Sequence, residues 1–167
     1  MQANQKAEAV NNSTRYNLFL SHSHADASLV LNVATQLDDL GISCFLDRWE
    51  MIPGQSSTVG LEVAMARSDA VAVIVAEHGM GRWHAEEARQ ALRQSIDAGK
   101  RAFVVWMPGA DDDPADLSTW LRERSYVDLR REIVDGKVSD AGLIGLVSGA
   151  LGITPRQAAR WVNERTE

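Results

Sequence analysis

The stretch Ala70-Val71-Ala72-Val73-Ile74-Val75-Ala76 contains no polar side chain. Successive side chains of a strand point to opposite faces, so a strand with one wet face alternates between apolar and polar. A short valine-rich run with no alternation predicts a strand covered on both faces, which places helices on each side of a mostly parallel sheet. It is the longest apolar run in the chain and falls far short of the roughly 20 residues that a membrane-spanning helix needs.

Strand and helix signals alternate around this run. Tyr16 to Ser21, with Leu18, Phe19 and Leu20 at its centre, predicts the first strand. Leu29, Val30, Val33, Ala34, Leu37 and Leu40 recur at helical spacing, and Gly41 stands where that helix should end. Ile42 to Leu46, containing Cys44, predicts a second strand. Pro53-Gly54 marks a loop over 47–55, after which Ser56 or Ser57 can cap a helix running to about Arg67. Gly79 and Gly81 precede a helix from about Trp83 to Ala98, and Arg101 to Met107 predicts a fourth strand, stopped by Pro108-Gly109. Beyond an acidic loop over 111–116, Leu117 to Arg124 reads as a short helix and Tyr126 to Leu129 as a short fifth strand. A glycine-spaced helix follows from Asp140 to Leu151. Thr154-Pro155 opens a last helix through Trp161 and Val162, with Trp161 expected over the sheet or at a protomer contact.

Short connections between these elements predict an α/β fold: a flavodoxin-like open parallel sheet of about five strands with helices on both faces. Residues 16–167 read as a single domain, and the polar residues 1–15 as a flexible arm.

Composition narrows the chemistry. Net charge is −6 and the isoelectric point near 5.2, which argues against nucleic acid as a partner. One cysteine, Cys44, cannot form an internal disulfide, and no Cys/His cluster has zinc spacing. His22 and His24 could face the same way at a strand end but lack an obvious third ligand, so no metal is expected. With no apolar signal core at the N-terminus and no membrane span, a cytoplasmic location is expected. The GxGxxG fingerprint, the Gly-Lys-Ser/Thr phosphate loop and the Gly-x-Ser-x-Gly elbow are all missing.

Ligands of such sheets bind outside the carboxyl ends of the strands, which here means Ser21 to His24, Asp47 to Ser56, Glu77 to Glu87 and Met107 to Asp113. Trp83 and Glu87 stand four apart and so share one helix face. Glu87 falls at the edge of the apolar stripe of Ala88, Ala91, Leu92, Ser95 and Ile96, whereas Glu86 falls on the wet face. Spacing also permits a plainer role for both glutamates, as first-turn acids complementing the helix dipole.

Phe19-Leu20-Ser21-His22-Ser23-His24-Ala25-Asp26 resembles the opening box of Toll/interleukin-1 receptor (TIR) domains. Phe45 to Gly54 resembles their second box and the loop that follows it, and Ser68 to Val71 followed by Trp83-x-x-x-Glu87 resembles the third stretch. The likeness runs from about Tyr16 to Arg130. It implies the same flavodoxin-like fold, and it implies one of two functions: cleavage of NAD+ between nicotinamide and ribose, or a non-enzymatic scaffold acting through TIR–TIR contacts. A third possibility on such a fold is a deoxyribosyltransferase-like enzyme.

In the NAD-cleaving class the resemblance makes Glu87 the essential carboxylate, Trp83 its neighbour in the site, and His22 the counterpart of a residue that stacks on substrate. Ser21, Asp47 and Trp49 complete the expected substrate-binding set. Arg48, Pro53 and Gly54 belong to a loop that, in the family, inserts into a neighbouring protomer. NAD+ is then a consumed substrate and no cofactor is expected. Self-association and a separate sensor or activator protein are the expected partners, in bacterial immune signalling or NAD depletion.

Overall fold

The computed structural model describes residues 15–46, 53–54, 57–79, 86–111 and 126–166, with the backbone alone for 57–61 and 86–88. Its main sheet contains five strands: β1 (Tyr16–Ser21), β2 (Cys44–Phe45), β3 (Ser68–Val75), β4 (Arg101–Trp106) and β5 (Tyr126–Asp128), in the order β2-β1-β3-β4-β5. Every pairing is parallel, with Leu18 opposite both Cys44 and Ala70, Val73 opposite Val104 and Val105 opposite Val127. The flavodoxin-like arrangement read from the apolar run is therefore the one adopted.

The helices are α1 (Ala27–Asp39), α2 (Ser57–Arg67), α3 (Glu86–Asp97), α4 (Asp140–Leu151) and α5 (Pro155–Thr166). Period-two alternation persists inside the apolar strands and divides them between two cores. Leu18, Leu20, Ala70, Ala72, Ile74, Phe103 and Val105 pack with Val33 and Leu37 of α1, Leu146 and Val147 of α4 and Val162 of α5. Phe19, Phe45, Val71, Val73, Val75 and Val104 pack on the opposite face, with Ala64 and Met65 of α2 and Leu92 and Ile96 of α3. β3 lies between β1 and β4, and all its residues from Ala70 onward are buried.

The glycine spacing of α4 follows from how closely that helix approaches the sheet. A Cβ on Gly149 would lie 2.5 Å from the Phe103 ring, and one on Gly142 would lie 2.6 Å from the Val138 side chain. Ser139 caps the same helix by accepting a hydrogen bond from the Gly142 amide at 3.1 Å. At the start of α5 the Thr154 amide donates to Gln157 and the Gln157 amide donates back to the Thr154 hydroxyl, a capping box that leaves Pro155 at the first helical position.

Several expected features differ in the structure. β2 is confined to Cys44–Phe45 instead of spanning Ile42 to Leu46, because Ile42 is still turning out of α1, its amide bonded to the Leu37 carbonyl at 2.9 Å. The Gly41 backbone that permits this turn has φ +80°. β3 begins at Ser68, not Ala70, since Ser68 already pairs with Tyr16 in the ladder. Trp161, half-buried, packs against the core that holds Leu18 and Leu20, and it is fixed locally: its indole N–H donates to the Leu40 carbonyl at 2.8 Å, and the Arg165 guanidinium lies 3.4 Å from the ring centre. Arg15, counted into the arm, pairs with Asp69 at 2.8 Å. The remainder of the arm and the expected helix over 117–124 lie outside the described residues.

A hairpin that sequence patterning did not anticipate follows β5. Its strands, β6 (Ile133–Val134) and β7 (Lys137–Val138), pair antiparallel across Asp135 and Gly136, whose φ values of 52° and 77° are those of a primed two-residue turn. Gln36 of α1 ties the hairpin to the body by accepting from the Val138 amide at 2.7 Å and donating to its carbonyl at 3.2 Å.

Cys44 is buried, and burial, with the Asp38 charge in second place, pushes its thiol up to about 12. Only the thiolate attacks electrophiles. The native chain is therefore expected to resist a maleimide at neutral pH and to react fully once unfolded in urea; rapid native labelling would contradict the placement of β2.

Candidate active site

The strand order reverses between β1 and β3, whose following connections lead to opposite sides of the sheet. A crevice at such a reversal, outside the carboxyl ends of the strands, is where open α/β sheets hold ligands. Ser21 ends β1 there. It is 1% exposed, and its hydroxyl is buried without a hydrogen-bond partner. A buried hydroxyl left unpaired costs about 1–3 kcal/mol, a state Ser21 shares with an oxygen of Asp26 at the same edge and with the Ser68 hydroxyl at the amino end of β3. Next to it the half-buried His22 donates from Nδ1 to the Leu20 carbonyl at 3.1 Å, which holds the ring against the end of its own strand.

A turn of 3-10 helix, His24–Asp26, then leads into α1. The Asp26 side chain is only 9% exposed. One carboxylate oxygen accepts from Nδ1 of His78 at 2.8 Å, and the other is buried with no partner. His78 stands in the tight turn after β3, closed by the Gly79 amide donating to the Ala76 carbonyl at 3.0 Å. Its hydrogen bond to Asp26 raises the imidazole pKa above the ordinary value; desolvation opposes this, and the charges of Asp26 and Glu77 reinforce it. The turn after β4 closes against the same segment. A Cβ on Gly109, which has φ +85°, would lie 3.1 Å from the Glu77 Cβ. The connections after β1, β3 and β4 are thus in mutual contact along one edge of the sheet.

Glu87 occupies the first turn of α3, the helix that begins after the β3 connection. Position 87 shares a row with Ala91 and Ser95, both half-buried, whereas position 86 shares one with Gln90, Arg93 and Asp97, all exposed. The two adjacent glutamate positions therefore differ in register as their spacing predicts. Pro53 and Gly54 form an exposed turn with Gly54 at φ +90°. Asp47, Arg48, Trp49 and Trp83 lie outside the described residues.

Of the residues expected at the site, Ser21 ends β1 and His22 follows it, while Glu87 lies in the first turn of α3. Sequence reasoning missed Asp26 and His78 as a pair. Asp26 was visible as the last residue of the opening box, but nothing local singled out His78. Among the described residues, no group of three or more His, Cys, Asp or Glu side chains could hold a metal, and no helix is long and apolar enough to cross a membrane.

Comparison with known proteins agrees with this architecture. The chain matches the TIR domain family over residues 18–142. It is 26% identical over 111 residues to the probable 2′ cyclic ADP-D-ribose synthase TcpB of Brucella abortus (strain 2308), covering 65% of this chain and 44% of that protein. The chain thus spans less than half the length of that relative. Among solved structures it resembles the TIR domain of the Toll-related receptor TRR-2 from Hydra magnipapillata, with TM-score 0.51 and 16% identity over 68% of this chain and 83% of that one. It also resembles a metazoan TIR-STING receptor from C. gigas, solved in complex with 2′,3′-cGAMP, with TM-score 0.58 and 15% identity over 89% of this chain and 40% of that one. At such identities the two structures speak for the fold alone. The family match runs from within β1 to the first turn of α4, most of the chain, and with the sheet order it shows that the chain belongs to the TIR domain family.

Proposed function

We propose that this TIR domain cleaves NAD+ at the bond between nicotinamide and ribose, with Glu87 as the essential carboxylate. The observation that carries this reading is the position of Glu87: the first turn of α3, on the boundary row of the helix, next along the chain from the crevice at the strand reversal. The similarity to a probable cyclic ADP-ribose synthase supports the same substrate class.

The chemistry suits a single carboxylate. Nicotinamide in NAD+ is already cationic and departs without being protonated, so no general acid is required for the leaving group. As the C–N bond breaks, positive charge builds on the ribose as it does in glycoside hydrolysis. A carboxylate beside the ribose stabilises that charge and accepts hydrogen bonds from the sugar hydroxyls, and Trp83, four positions earlier in the sequence, would exclude water and strengthen both effects. Ser21 and His22, at the end of β1, contribute to substrate binding, and Asp47 and Trp49 complete the substrate-binding set that the family resemblance implies. Water or an atom of the same substrate then captures the ribosyl cation, giving ADP-ribose or a cyclic isomer. NAD+ is the substrate, and no cofactor is needed.

Activity depends on self-association through the loop of Arg48, Trp49, Pro53 and Gly54, promoted by a separate activator in the cytoplasm or by high local density in its place, in immune signalling or NAD depletion. The test is nicotinamide release over a wide series of protein concentrations, with products separated by chromatography. Release rising faster than linearly with protein, with ADP-ribose or a cyclic isomer as second product, is expected. Strictly linear release would remove the assembly requirement. Self-association without any release would make the domain a scaffold.

A further inference from the structure

The carboxyl edge of the sheet holds a pair of groups that the cleavage step leaves unused. Asp26, nine-tenths buried, accepts a hydrogen bond from Nδ1 of His78 at 2.8 Å, while its second oxygen is buried and unpartnered. The carboxylate follows β1 and the imidazole follows β3, so the pair bridges the two connections that diverge at the strand reversal. The His78 side chain is 50% exposed. A bond through Nδ1 fixes the tautomer of a neutral imidazole, leaving Nε2 as the nitrogen with a lone pair. A buried carboxylate behind the ring stabilises the imidazolium formed when Nε2 takes a proton. Such a pair is built to accept a proton from a group arriving in the crevice.

Resting on the NAD+ reading, we propose that His78, oriented by Asp26, accepts the proton of the oxygen nucleophile that captures the ribosyl cation. The C–N bond to nicotinamide breaks first, and its electron pair leaves with the neutral pyridine. The oxygen of water, or of a ribose hydroxyl of the same substrate, forms the new bond to the same carbon. The proton shed by that oxygen passes to Nε2 of His78 and later to solvent. Hydrolysis then balances as NAD+ and water giving nicotinamide, ADP-ribose and one proton, with no change in oxidation state.

The proposal separates two kinds of capture. An oxygen nucleophile must lose a proton, whereas the ring nitrogen of an added pyridine attacks with its lone pair and has none to lose. Among the described residues, the charges acting on His78 are those of Asp26, from the turn after β1, and Glu77, from its own connection, and the hydrogen bond to Asp26 keeps the imidazole protonated to higher pH than usual. Only the neutral ring can accept. Oxygen capture should therefore rise with pH through that raised value, while pyridine exchange should not follow it.

The experiment measures both captures in one reaction mixture, using NAD+ with 3-acetylpyridine, for the unmodified chain and for His78→Gln, His78→Ala and Asp26→Asn. The ratio of oxygen capture to exchange is expected to fall by about 10-fold or more in both His78 variants and to lose its rise with pH. A smaller fall is expected for Asp26→Asn, which keeps the ring but weakens its orientation. Because both products come from one sample, a partly unfolded variant does not distort the ratio. A parallel fall of both captures would mean that His78 is only a tether. Recovery of the ratio in His78→Gln, which retains a donor for Asp26 but cannot take a proton, would also overturn the proposal, as would an unchanged ratio in all variants. Failure of the NAD+ reading looks different: the unmodified chain then releases no nicotinamide with either nucleophile.

Discussion

Replacing Glu87 with Gln is expected to lower NAD+ cleavage by about 10³-fold without unfolding the domain. The substitution preserves shape and removes only the negative charge, so the loss reports stabilisation of the ribosyl cation, about 4 kcal/mol of barrier. Position 87 lies in the first turn of α3. Losing a first-turn acid there weakens a dipole interaction typically worth about 0.3–1 kcal/mol, too little to unfold a domain held by two apolar cores. Glu86→Gln, on the row shared with the exposed Gln90, Arg93 and Asp97, is expected to retain activity within about 3-fold. Nicotinamide release and thermal melting of the two variants check both halves of the expectation. Equal activity in the Glu87 variant and the unmodified chain would remove Glu87 as the essential carboxylate.

Phe19→Ala is expected to give the largest loss of stability, about 3–5 kcal/mol in urea unfolding. Phe19 is fully buried in β1, between β2 and β3, and its ring meets Phe45 edge-on at 5.6 Å. Phe45 in turn meets Tyr16 at 5.2 Å, and the Arg67 guanidinium lies 5.6 Å from the Tyr16 ring. Truncation removes one of the two phenylalanines in the core beneath α2 and α3. A domain with about 5–15 kcal/mol of total stability would become marginal. Because α3 rests on that core through Leu92 and Ile96, the variant should also lose activity at temperatures below its melting point. Phe19→Leu, which refills most of the volume, should recover most of both losses. A cost under 1 kcal/mol for Phe19→Ala would mean that helices do not cover this face as tightly as the structure indicates.

The fold was legible because its central signal is local. A run such as Ala70 to Val75 requires cover on both faces, and β1 and α4 occupy the ranges that their apolar and glycine spacing predicted. The errors lay where polar residues enter ladders or turns carry the information. Ser68 reads as a loop residue, yet it is buried at the head of β3, and the Lys100 ammonium donates to its carbonyl and to that of Met65. The Asp135-Gly136 hairpin carried a recognisable turn signal, but its strands are two residues each and show no alternation to read. Trp161 found its partner at the end of α1, a contact set by the packing of α5 and by nothing in its own neighbourhood.

The site was legible in part for the same reason. Ser21 and His22 follow directly from the end of a predicted strand, and the register of Glu87 follows from helical spacing. Asp26 and His78 are 52 positions apart and meet only because β1 and β3 are adjacent in the sheet. Pairing at that distance leaves no trace in spacing or composition. It becomes visible once strand order is known: the buried unpartnered oxygens of Ser21 and Asp26 then lie together at the carboxyl edge, while that of Ser68 lies at the opposite end of β3.

The central claim is that this TIR domain breaks the nicotinamide–ribose bond of NAD+. The most direct measurement is nicotinamide released per NAD+ consumed by the unmodified chain held at high local density on a vesicle or bead surface. One nicotinamide released for each NAD+ lost, with no release from Glu87→Gln on the same surface, is the predicted result. Intact NAD+ at every density, from a chain that remains folded and self-associates, would contradict it.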